Sequence, residues 1–85
     1  MTDEEQVRLS DRIESFVKDE GVKGALNELE KRYFTDFKNA KTDDERRSAQ
    51  AKVVVLTDFA IELKSIVDRG TVIKNNNVKK DQRRL

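Results

Sequence analysis

The sequence predicts an all-α fold: an antiparallel helical hairpin, an additional N-terminal helix, and a flexible basic C-terminal tail. Three observations predict it. Apolar residues recur three and four positions apart along most of the 85 residues. Two threonines are each followed three positions later by glutamate, the pattern that opens a helix. Proline is absent, and only Gly21, Gly24 and Gly70 punctuate the chain.

The first helix opens at Thr2, whose hydroxyl can accept a free backbone N–H while the Glu5 carboxylate reaches back. Asp3, Glu4 and Glu5 suit the positive end of the helix dipole. Leu9, Ile13, Phe16 and Val17 share one face, and Gly21 is a plausible stop, so the helix is expected over about residues 3–19. The second helix, about 22–40, carries the stripe Val22, Leu26, Leu29, Tyr33, Phe37 and Ala40, with Ala25 and Phe34 widening it. Gly21 and Gly24 read either as a tight corner or as a soft spot in one long helix, and the corner is preferred. Thr42-Asp43-Asp44-Glu45 opens the third helix, about 43–69. Its Ala49, Val53, Leu56, Ala60, Leu63 and Val67 form a heptad seam, broadened by Val55, Phe59 and Ile66. Gly70 is expected to end it, with Arg69 at the negative helix terminus.

Residues 1–70 therefore read as a single helical domain and 71–85 as a basic tail. Thr71-Val72-Ile73 is a short β-favouring run, and Asn75-Asn76-Asn77 is turn-prone. The short link at Lys41-Thr42 makes the second and third helices antiparallel neighbours. The expected core sets Leu26, Leu29, Tyr33 and Phe37 against Val53, Leu56, Ala60 and Leu63.

Composition narrows the function. There is no cysteine, hence no disulfide or thiolate ligand, and no histidine, the commonest metal ligand and proton shuttle. The glycines form no phosphate-cradling loop. Asp43, Asp44 and Glu45 sit in a first helical turn, where acids serve capping and the dipole. The chain reads as non-enzymatic, with no cofactor. No apolar run reaches the roughly 18–20 residues of a membrane span, and the acidic N-terminus does not resemble a secretory signal. A soluble, cytoplasmic protein is expected.

The net charge of +1 hides an asymmetry. Residues 1–20 carry seven acids and three bases, whereas residues 71–85 carry five bases and one acid. Head and tail can meet within one molecule or between neighbours. The tail residues Lys74, Lys79, Lys80, Arg83 and Arg84 are also the candidate nucleic-acid contacts, through phosphate neutralisation, although no aromatic residue lies among them for base stacking. The alternative is a solvated basic terminus.

Candidate contacts to a protein partner are Val54, Ile61 and Phe34. Val54 and Ile61 project from the side opposite the seam, either as ordinary scatter or as a second contact. Tyr33 and Phe37 lie on the second stripe, and Phe34 at its edge is the most exposed candidate. With so thin a core, a homo-oligomer, most simply a dimer, docking on a larger protein complex is the expected role.

The run Leu29-Glu30-Lys31-Arg32-Tyr33-Phe34-Thr35-Asp36-Phe37, then Ala40-Lys41-Thr42-Asp43-Asp44-Glu45-Arg46-Arg47 and Leu56, Phe59 and Leu63, resembles small helical accessory proteins of tailed bacteriophages and prophages. The resemblance covers residues 26–70. It implies a role in virion assembly, DNA packaging or takeover of a bacterial host, and assigns no site residues.

Overall fold

Local hydrogen bonds start the first and third helices where the sequence places them. In the computed structural model, which describes the backbone of residues 1–83 and the side chains of residues 1–78, three helices follow one another: α1 (Asp3–Lys18), α2 (Glu20–Asn39) and α3 (Asp43–Arg83). At the head of α1, the Glu5 amide donates to Thr2 Oγ1 (3.1 Å), and the Thr2 amide donates to Glu5 Oε1 (3.4 Å). At the head of α3, the Glu45 amide donates to Thr42 Oγ1 (3.1 Å), but the Glu45 carboxylate accepts from the Lys41 amide (2.9 Å), one residue earlier than a capping box requires.

The break between α1 and α2 is a single residue, Asp19, held extended at φ −65° and ψ 129°. Its carboxylate accepts from the Val22 amide (2.9 Å) and so caps α2. The expected corner at Gly21 and Gly24 is therefore corrected: both glycines lie inside α2, and the turn belongs to the aspartate before them. A capping side chain supplies a specific bond to a free amide, whereas a glycine only permits bending.

The larger correction concerns α3. It does not end at Gly70 but continues to Arg83, making a helix of 41 residues. Thr71-Val72-Ile73 and Asn75-Asn76-Asn77 are helical, so the reading of a β-favouring run, a turn and a tail detached at residue 71 does not hold for the backbone through Arg83. Arg69 is consequently mid-helix, where it donates to the Ser65 carbonyl (3.4 Å) and the Glu62 carboxylate (3.3 Å).

The chain divides into two compact units, each using a different part of α3. One unit comprises residues 1–18 with 62–85; the other comprises residues 19–61. In the first, Ser10 is the most deeply buried side chain, and its hydroxyl donates to the Val67 carbonyl of α3 (3.2 Å). Gly70 is buried opposite it. Asp11 and Lys74 form an ion pair between the two helices, and Leu9 and Ile66 line a shared crevice. Leu63 is buried here, in the unit of α1, and not in the hairpin with α2 where the seam had placed it.

The second unit is the hairpin, α2 against the first half of α3, joined by Ala40, Lys41 and Thr42. Leu26, Leu29, Tyr33, Val53 and Leu56 are half-buried, and Ala49 is the one apolar side chain fully buried among its residues. Phe37 and Ala60, expected in the core, are exposed. Two helices meet along one line only, so the edges of both stripes stay open to water.

Candidate interaction surface

The same geometry leaves the hairpin with two apolar edges. On one, Leu29 and Tyr33 of α2 face Ala51, Val55, Leu56 and Phe59 of α3 across an open groove of about 500 Å³. Ala51, Val55 and Phe59 are four residues apart, hence successive members of one ridge on the α3 surface. Val55 and Phe59 are 67% and 46% exposed, far more than apolar side chains in a finished core. Tyr33 stays half-buried, with the Lys52 ammonium 5.8 Å from its ring centroid. Lys52 and Asp36 line an adjoining pocket, so both signs of charge border this edge.

The other edge carries Phe34, which shares a smaller groove with Val53, Asn27, Glu30 and Lys31. Phe34 is 60% exposed, and the Lys38 ammonium lies 5.4 Å from its ring centroid. Val54 and Ile61 are also exposed, as their positions opposite the seam imply. Phe34 is thus brought beside Val53, the seam neighbour of Val54. Val55 and Phe59 were missed as candidates because their spacing also fits a widened seam. The ridge Ala51–Val55–Phe59 was the signal that separates them from it.

Of the basic candidates, Lys74 is engaged: its ammonium donates to Asp11, and that bond raises its pKa above the ordinary value of 10.5. The backbone of Lys79, Lys80 and Arg83 belongs to α3. The side chains of these three and the whole of Arg84 lie outside the described residues. Glu14 is held below the ordinary 4.5 chiefly by its hydrogen bond from Lys18 (2.7 Å). Among the described residues, no three acidic, histidine or cysteine side chains cluster as a metal site would require, and no helix is long and apolar enough to cross a membrane.

Comparison with protein-family models, with curated proteins and with solved structures finds no match. The class defined by the fold is an all-α chain of three helices.

Proposed function

We propose that the protein is a small non-enzymatic interaction and assembly module that self-associates and docks on a larger protein complex. One observation carries this reading. Only Ala49 and Leu63 are buried apolar residues among the described ones, while Phe34, Val54, Val55, Phe59 and Ile61 stand exposed on α2 and α3. Apolar surface returns about 25 cal/mol per Å² when removed from water, and a chain of this size has few other sources of stability. Uncovered apolar edges of this kind, Val55 and Phe59 on one side of the hairpin and Phe34 on the other, support a role by contact. The absence of cysteine and histidine supports a role by contact instead of chemistry. The resemblance of residues 26–70 to phage accessory helices supports a phage-encoded component acting in the cytoplasm of a bacterial host.

Sedimentation velocity across the micromolar range tests self-association. A concentration-dependent dimer is the expected result. A stable monomer throughout that range would remove the self-associating part of the reading.

A further inference from the structure

We infer that α1 is exchanged between two copies of this chain: Asp19 is a hinge, and in the dimer each α1 leaves its own α3 and docks on the α3 of the other copy. The inference rests on the self-association proposed above and specifies how the two copies hold each other. Three observations carry it.

The first is the bend. Between α1 and α2 the helix is interrupted at Asp19 alone, where ψ is 129°. The Asp19 carbonyl already accepts from the Lys23 amide (3.0 Å), as it does in an unbroken helix. Turning this one ψ to its helical value joins α1 to α2 from Asp3 to Asn39. The amides of Glu20, Gly21 and Val22 then reach the carbonyls of Phe16, Val17 and Lys18. Those three bonds replace one, from the Val22 amide to the Asp19 carboxylate (2.9 Å). The bend is the locally poorer arrangement, and a single chain keeps it because it lets α1 rest on α3.

The second is how little holds α1 there. Ser10 is its one buried residue. Leu9, Ile13 and Val17 are half-buried, and Phe16 is exposed. The Asp11–Lys74 pair is also exposed, where ion pairs contribute little. Lifting α1 from α3 therefore uncovers no large side chain of α1 that was fully shielded from water.

The third is the fit of the seat, which names its occupant. Gly70 leaves no room for a β-carbon opposite Ser10. The Ser10 hydroxyl donates to the Val67 carbonyl (3.2 Å), and Lys74 donates to Asp11. The α1 of a second copy reproduces all three contacts without any change of sequence or geometry. The exchange is reciprocal, so it closes at two copies with both seats filled. Monomer and dimer share the same packing of α1 on α3, and the dimer alone straightens both hinges.

The ion pair supplies the test. Carbodiimide couples a carboxylate directly to a neighbouring amine, and so records which chain brings Asp11 to each Lys74. Unlabelled and isotope-labelled protein are mixed at micromolar concentration, treated with carbodiimide, and the linked peptides are read by mass spectrometry. Asp11–Lys74 links that join a labelled to an unlabelled chain are expected, and the Asp11→Asn variant should lack them. A second measurement uses the hinge. Asp19→Ala removes the cap that only the bent form uses, about fivefold for each hinge, so it is expected to tighten dimerisation about thirtyfold. Gly24→Ala, helical in both forms, is expected to leave the dimerisation constant unchanged.

A wild-type dimer whose Asp11–Lys74 links all lie within single chains overturns the inference and leaves self-association standing. So does a wild-type dimer that Asp19→Ala weakens or leaves as it was. A wild-type monomer across the micromolar range, with links only within single chains, overturns both.

Discussion

Ser10 and Gly70 approach so closely that a β-carbon built on Gly70 would lie 2.2 Å from both Cβ and Oγ of Ser10. The glycine is therefore a contact residue between α1 and α3 and not a helix terminator. An alanine at an ordinary helix interior position gains about 1 kcal/mol over glycine. At residue 70, overpacking against Ser10 costs about 1–3 kcal/mol and works against that gain.

Gly70→Ala is expected to lower the melting temperature, and Gly70→Val to lower it further. Gly24, also inside a helix, has nothing within 4 Å of its notional β-carbon, so Gly24→Ala is expected to raise it, by up to about 1 kcal/mol in stability. Thermal unfolding followed by far-ultraviolet circular dichroism compares the two. A stabilised Gly70→Ala protein would show that α1 and α3 do not touch there.

Asp19 separates α1 from α2 by capping the latter through the Val22 amide. Asp19→Ala is expected to cost about 1 kcal/mol, whereas Asp19→Asn, which keeps an accepting oxygen, should cost a few tenths. Denaturant titration measures both; equal losses would mean that the charge and not the cap matters.

Leu63 is 7% exposed, while Leu56 is half-buried beside the open groove. Leu63→Ala should destabilise the monomer by about 2–5 kcal/mol and Leu56→Ala by less, because part of the Leu56 surface is already in water. Equilibrium unfolding below the dimerisation range gives the comparison, and the reverse order would contradict the burial of Leu63 in the unit of α1.

The Lys74–Asp11 pair joins α1 to α3, and the two groups with shifted pKa values, Lys74 and Glu14, move in opposite directions. Lys74 is raised, so its contribution is complete below the usual lysine value and disappears as pH rises through the raised one. Glu14 is lowered, so its contribution is present above the usual glutamate value and disappears as pH falls through the lowered one. Both are exposed, so the effects are small and salt-sensitive. Asp11→Asn should abolish the alkaline dependence that Lys74 gives to the contact of α1 with α3, as thermal unfolding at pH values on either side of 10.5 would show.

Sequence alone determined where the first and third helices begin and which helix faces are apolar. Thr2 with Glu5 and Thr42 with Glu45 act on amides three or four residues away, so no tertiary partner is needed to read them. The stripe through Leu29, Tyr33, Val53 and Leu56 follows from helical periodicity in the same way.

Only tertiary structure decided where α3 ends, what Lys74 pairs with, and which edge of the hairpin stays open. Gly70 carries the same local preference wherever it stands, worth about 1 kcal/mol. Whether it stops a helix or admits a neighbour depends on Ser10, sixty positions earlier in the chain. Asp11 is equally remote from Lys74. Val55 and Phe59 sit at spacings that fit a core or a ridge alike; packing against a single neighbouring helix exposed them, because two cylinders touching along a line cannot cover a wide stripe.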